Sequence, residues 1–222
     1  MEAISRIVEE KSSAINPDAP FSSRITRAIS LHDEDYLINQ IESASVRELQ
    51  HFVTLDNLGF APVHHLIVQG LYAPFCALMS RKIIRVHVES CSGDYPLHFA
   101  CQKDLRFVKK LFEDPATDKF MHKGNTHMKT PVYLACEAGM ADIFEFLRRE
   151  TNVDYKMASL RGENLFMAAC VGGSMQIIKT LCLNKKGLDA NRINWYGQNV
   201  FHKVCMQGTV ETLDYLMQNF HF

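Results

Sequence analysis

Apolar positions recur along this chain at helical spacing in short paired bursts, and the pairs themselves recur. The segments ADIFEFL from Ala141, MQIIKTL from Met175 and VETLDYL from Val210 place apolar residues three and four apart, the stripe that one helix face buries. Each follows a shorter, more apolar segment. Five of these first segments align: GFAPVHHLIVQG from Gly59, GDYPLHFACQKD from Gly93, MKTPVYLACEAG from Met128, GENLFMAACVGG from Gly162 and GQNVFHKVCMQG from Gly197. Their starts are 34, 35, 34 and 35 residues apart. Self-similarity at such a period predicts a stack of helical units, none of which can bury its apolar face alone.

Within each unit the residue types fall where a helix start needs them. Three positions before each segment stands a turn former, Asp56, Ser90, Asn125, Ser159 or Asn194, whose side-chain oxygen can accept nearby backbone N–H groups. Pro62, Pro96 and Pro131 suit a first helical position, where the missing N–H has no intrahelical partner. Thr130 is placed as a helix N-cap; where the Pro is lost, at Leu165 and Val200, Asn164 and Asn199 take the cap and supply an acceptor. His64, His98 and His202 follow three residues after the cap, replaced elsewhere by Tyr133 and Met167, and can reach back to it. One helical turn on, Ile67, Cys101, Cys136, Cys170 and Cys205 form a column of small buried hydrophobes. Two departures predict irregular loops: Met128 replaces a turn Gly, and Asp104 replaces the Gly between the helices of the second unit.

This pattern resembles the ankyrin repeat, a turn ending in Gly, then T-P-L-H-x-A-A-x-x-G, then a second helix. The resemblance covers about residues 56–220 and is closest at Tyr95-Pro96-Leu97-His98-Phe99-Ala100-Cys101 and Thr130-Pro131-Val132-Tyr133-Leu134-Ala135-Cys136. It implies an all-α ankyrin-repeat solenoid of helix-turn-helix units with short β-hairpin connections, its five repeats at about 56–89, 90–124, 125–158, 159–193 and 194–222. Upstream, Ser22 to Ser43 holds two short helical patterns meeting at His32-Asp33, and residues 22–55 read as a divergent N-terminal capping repeat with a polar outer face. Residues 1–21 are either a flexible arm or an extra helix with Ile4, Ile7 and Val8 on one face.

Composition narrows the chemistry. With 47% apolar and 22% charged residues, disorder over most of the chain is excluded. Basic and acidic residues number 24 and 25, so no overall field draws in nucleic acid. Charges interrupt the N-terminus where an export signal needs an apolar core, and no run of about 18 apolar residues occurs, so membrane insertion is not expected. Seven cysteines without an export signal point to reduced thiols in an intracellular, cytoplasmic setting.

His98 with Cys101, and His202 with Cys205, have the look of metal half-sites. Stacking separates corresponding residues by about 10 Å per unit, whereas zinc ligands sit at about 2.0–2.3 Å from the ion, so structural roles are expected for both pairs. A Cys-His nucleophile pair lacks an oriented third member, and the carboxylates of Asp33-Glu34-Asp35 fit a helix start. No phosphate-binding, dinucleotide-binding, nucleophile-elbow or HExxH motif is found. The expectation is a non-enzymatic module with no cofactor and no metal. Cys91, in a turn tip, leaves a weaker redox or ligand-sensing reading open.

The resemblance implies that a protein partner is bound by the hairpin tips and the exposed side of each first helix. The residues placed there are Trp195, Tyr196, Leu160, Arg161, Phe99, His127, Lys129, Lys203 and Met206. Trp195-Tyr196 stands out because the repeat pattern does not require it and because Trp, Tyr and Arg dominate interface energetics. Either it meets the partner or Trp195 folds back over the neighbouring hairpin. The last helix carries Val210, Leu213, Tyr215, Leu216, Met217 and Phe220, too many apolar groups for one buried face. Further repeats, another domain, a partner or a second copy would cover them. The alternative reading is thus the recruiting N-terminal region of a larger enzyme or host-delivered effector, with its chemistry beyond residue 222.

Overall fold

The computed structural model describes residues 15–82, 87–184 and 189–220. Ile4, Ile7 and Val8, assigned above to an arm or extra helix, lie outside the described residues. Among those described are thirteen α-helices and no strand, with one isolated antiparallel bridge between Ala158 and Asn164. The chain divides after Pro115 into two compact units.

The first unit opens with α1 (Phe21–Leu31) and α2 (Glu34–Ser43). They meet where His32 takes a left-handed φ of 53° and the Asp33 carboxylate accepts the Tyr36 N–H at 3.1 Å. The acidic run is thus a helix cap followed by first-turn charges, Glu34 and Asp35. A short helix, α3 (Val46–Leu49), starts at a reciprocal Ser45–Glu48 cap and continues as a 3-10 turn, Gln50–Val53. The first repeat supplies α4 (Pro62–Val68) and α5 (Tyr72–Ser80); α1 packs on α4 and α2 on α5. Arg81 ties these layers together, its guanidinium donating to the carbonyls of Ile41, Glu42 and Ala44 at 2.6–3.0 Å, the open end of α2. The second repeat, α6 (Pro96–Cys101) and α7 (Leu105–Phe112), packs on α4 and α5 in turn.

The second unit has three helix pairs: α8 (Pro131–Glu137) with α9 (Ala141–Glu150), α10 (Leu165–Gly172) with α11 (Met175–Asn184), and α12 (Val200–Gln207) with α13 (Val210–Asn219). First helices stack in the order α8, α10, α12, and α9 packs on α11. Helix α10 is buried almost all round, from Leu165 to Cys170, because a neighbour lies on either side. The outer helices bury one stripe only, Ile143, Phe144 and Leu147 in α9, as their apolar spacing requires.

The caps follow the residue types. Thr130, Asn164 and Asn199 accept the N–H of Tyr133, Met167 and His202. His64, His98 and His202 each turn Nδ1 to the backbone N–H of Ala61, Tyr95 and Asn199, at 3.0, 3.1 and 3.3 Å. Where Ala or Tyr holds the cap position, this reach-back is the side-chain half of the motif that survives.

One loop expectation is corrected. Met128 does not distort its hairpin: it adopts φ 56°, beside 75° at Gly93 and 79° at Gly162, and the Asn125 N–H reaches the Lys129 carbonyl at 3.0 Å. An unbranched side chain tolerates this region at a cost of about 1–2 kcal/mol, which the surrounding turn hydrogen bonds can hold. Asp104 does change its connection. It is extended, with φ −159°, and caps α7 by accepting the Arg106 N–H at 2.8 Å, where Gly139 and Gly173 turn with positive φ.

Candidate protein-binding surface

Each hairpin is closed by the turn former that precedes it. In the second unit Asn125 Oδ1 accepts from His127 and Lys129, Ser159 Oγ from Arg161 and Glu163, and Asn194 Oδ1 from Tyr196 and Gln198, at 2.9–3.3 Å. Neighbouring hairpins are joined by backbone bonds, Leu160 N–H to His127 O at 2.7 Å and Trp195 N–H to Arg161 O at 2.9 Å. The tips 127–128, 160–161 and 195–196 therefore form one continuous edge with fixed register. In the first unit the equivalent bond runs from Cys91 N–H to Gly59 O, at 2.9 Å.

Along this edge the side chains are large and open. Met128 and Leu160 are each 55% exposed, Trp195 74%, and Tyr196, Arg161 and His127 are exposed as well. Met206, on α12 behind the last tip, is exposed and its sulfur accepts the Gln198 Nε2–H at 3.4 Å. Trp195 folds back on the neighbouring hairpin and is open to solvent as well. Its indole lies against Gly162, where an added Cβ would come within 3.1–3.3 Å of three ring atoms, yet most of the ring faces solvent. Gly162, at φ 79°, is the one tip residue whose missing side chain makes this seat possible. A rigidly backed, exposed Trp has little rotamer freedom left to lose on contact.

Lys203 requires a correction. The repeat pattern assigns it to the open surface, but it is only 8% exposed, and its Nζ pairs with Glu163 at 3.0 Å. Glu163 also accepts the Tyr133 hydroxyl at 3.2 Å, so three successive repeats meet at one buried carboxylate. Burial by itself would raise the Glu163 pKa; the Lys203 ammonium, with Tyr133 and Asn194 as donors, outweighs it and holds the group below its ordinary 4.5. Burial, then the Glu163 carboxylate, pushes the Tyr133 hydroxyl far up. The signal was present in the repeat column of Lys203, which reads Leu134 and Ala168 in the preceding repeats, both buried. Lys129 is also engaged, its Nζ on both Glu137 carboxylate oxygens at 2.7–2.8 Å.

Phe99 belongs to the first unit, apart from the other eight residues. It is half-buried, its ring 5.1 Å from His64 and 6.0 Å from Phe60. Met128, unremarked as a contact residue from sequence, joins the open edge because its left-handed backbone turns it outward at the tip.

The cysteine column is buried at Cys101, Cys136 and Cys170, and burial raises the Cys136 and Cys170 thiols well above their ordinary 9.0, which removes thiolate chemistry. Cys205 departs from the expected burial and is exposed; among the described residues α12 packs chiefly against α10 on one side and α13 on another. Among the described residues no group of three or more His, Cys, Asp or Glu side chains could hold a metal ion, and no helix is long and apolar enough to cross a membrane.

Hairpin edge, capped first helix and amphipathic second helix recur in the second unit at the period read from the sequence, and residues 133–221 match the family model for ankyrin repeats (3 copies). Residues 133–221 carry ankyrin repeats. The sequence is similar to Transient receptor potential cation channel subfamily A member 1 of Homo sapiens, with 24% identity over 127 residues, 57% of this chain. That match covers 11% of the channel's length. Ankyrin repeats generally serve as protein–protein interaction modules, and the first unit repeats the same turn and cap geometry upstream of the matched segment.

Proposed function

We propose that this chain is a non-enzymatic protein-binding module of the cell interior, and that its partner contacts the hairpin edge of the second ankyrin unit. The observation that carries this reading is the run of open apolar tips, Met128, Leu160 and Trp195 with Tyr196, on three hairpins locked together by backbone hydrogen bonds. Arg161 and His127 flank them as exposed polar anchors, and Met206 extends the surface onto α12. Lys129 and Lys203 act behind this edge: one is paired with Glu137, the other with Glu163, so they shape the surface through their carboxylates. Phe99 would add a separate contact in the first unit. Binding is by shape and hot-spot complementarity; the reading involves no bond-making step, no cofactor and no nucleic acid.

The test is quantitative capture from the native cell by the wild type and by a Trp195→Ala/Tyr196→Ala double variant. Truncating a hot-spot aromatic costs about 2 kcal/mol or more, roughly a thirtyfold loss of affinity. The thermal midpoint should change little, because Trp195 is mostly exposed and rests on a glycine. Unchanged titration of a captured partner by the double variant overturns the assignment. A second reading, that the module recruits partners for a larger protein, is favoured by the match to a small part of a much longer channel.

A further inference from the structure

The charges on the hairpin edge of the second unit do not balance, and the excess lies in the open. The three hairpins, 125–129, 159–163 and 194–198, with the first helices behind them, α8, α10 and α12, hold three cations, Lys129, Arg161 and Lys203, and two carboxylates, Glu137 and Glu163. Lys129 pairs with Glu137 at 2.7 Å and Lys203 with Glu163 at 3.0 Å. The remaining carboxylates of this unit lie on the second helices or in the segments that lead to the hairpins. Arg161 is left over. Its side chain is exposed at the middle tip, and among the described residues its guanidinium makes no hydrogen bond or ion pair.

The arrangement has a sign. Each carboxylate on the edge is already held by a lysine, so a basic segment meets no free negative charge there, whereas an acidic one meets an unpaired guanidinium. A guanidinium is also the side chain whose planar fork takes a carboxylate through two parallel hydrogen bonds. Apolar groups stand on both sides of it. Met128 occupies the tip before, Leu160 the same tip, and Trp195 with Tyr196 the tip after.

Spacing then sets the length of the occupant. Neighbouring tips are one repeat apart, about 10 Å, the width of a helix. An extended chain rises about 3.3 Å per residue, so two repeats, from Met128 to Trp195, are spanned by about seven residues. Resting on the reading that this edge binds a protein, we infer that its occupant is an extended acidic segment: apolar side chains at both ends meet Met128 and the Trp195-Tyr196 pair, and an Asp or Glu near the middle pairs with Arg161.

The test pans a phage library of random twelve-residue peptides on the 222-residue chain and discards every peptide that the Trp195→Ala/Tyr196→Ala variant also holds. Those that remain should carry Asp or Glu in the middle of an apolar-ended stretch. Synthetic copies should lose about tenfold to a hundredfold in affinity on Arg161→Glu, the range for a hydrogen bond to a charged group. The thermal midpoint should hold, since this side chain has no partner within the described residues. Exchanging the peptide's acid for Lys should weaken binding to the wild type and restore it to Arg161→Glu. Trp195-dependent peptides without acidic enrichment, or with affinity unchanged by Arg161→Glu, overturn the acidic occupant and leave the protein-binding reading standing. A library that yields no Trp195-dependent peptide also overturns the inference, and the capture experiment above then decides by itself whether the edge binds a partner. A dimer in sedimentation that the double variant dissolves assigns the edge to a second copy and overturns it as well.

Discussion

His64 offers the most direct check on how the repeats are held together. Its ring is fully buried, Nδ1 accepting from Ala61 and Nε2 donating to Val88, a pair of bonds that only the neutral ring with its proton on Nε2 can make. Burial, the largest influence, depresses its pKa from 6.5 to about 4, against the pull of the Val88 carbonyl. Between pH 6.5 and about 4 the unfolded chain therefore holds a proton on this ring and the folded chain does not, so acidification favours unfolding. Stability from this group is whole above about pH 7.5 and is lost progressively as pH falls to about 4. A tenfold change in proton affinity is worth about 1.4 kcal/mol, so the loss by pH 4.5 is roughly 2–3 kcal/mol. Urea unfolding of the wild type and of His64→Asn at pH 7.5 and 4.5 measures it. Asn keeps an acceptor for Ala61 but does not titrate. The stability difference between the two proteins should change by roughly 2–3 kcal/mol across that range, a midpoint change of about 1 M urea. Other acid-sensitive groups cancel in the comparison. Parallel losses in the two proteins, or a His64 ring proton titrating near pH 6.5 in the folded chain by NMR, would refute the reasoning.

In the second unit, Lys203→Met leaves the Glu163 carboxylate buried with only neutral donors and should cost about 3–5 kcal/mol at pH 7, whereas Glu163→Leu with Lys203→Met should recover most of it. Because the pair lowers the Glu163 pKa, its contribution is present above the ordinary 4.5 and is lost as pH falls through the folded value, so the penalty of Lys203→Met should shrink below pH 4.5 in thermal melts. An equal penalty at about pH 7 and about pH 4 contradicts the paired geometry. Gly162→Ala places a Cβ against the Trp195 ring and on a φ of 79°, so a loss of about 1–2 kcal/mol should accompany a shift in the emission of this single Trp. Unchanged emission removes the indole from its seat.

Much of the fold was legible in the sequence because a repeat protein writes the same local rules several times. Asn125, Ser159 and Asn194 close their hairpins for the same reason, an oxygen two and four residues before two backbone N–H groups. Caps are local too, so Asn164 and Asn199 could be assigned without knowing what packs beside them. Even Met128 in place of a turn Gly leaves the hairpin intact, since turn geometry is set by four or five residues. The candidate surface was legible only in part. Trp195, Tyr196, Leu160 and Met206 are open, as tips and an end helix leave them.

What the sequence could not decide was which polar groups face inward, because that depends on the neighbour and not on the segment. Lys203 has the look of a surface cation until Glu163 from the preceding hairpin and Tyr133 from the repeat before it enclose a shared charge. Cys205 shares its column with buried thiols, yet it is exposed, because burial in a stack depends on what packs against the helix. Local hydrogen bonds are therefore determined by the chain by itself. Burial, pairing and the open faces that bind are decided by stacking, which places residues some thirty positions apart within hydrogen-bonding distance.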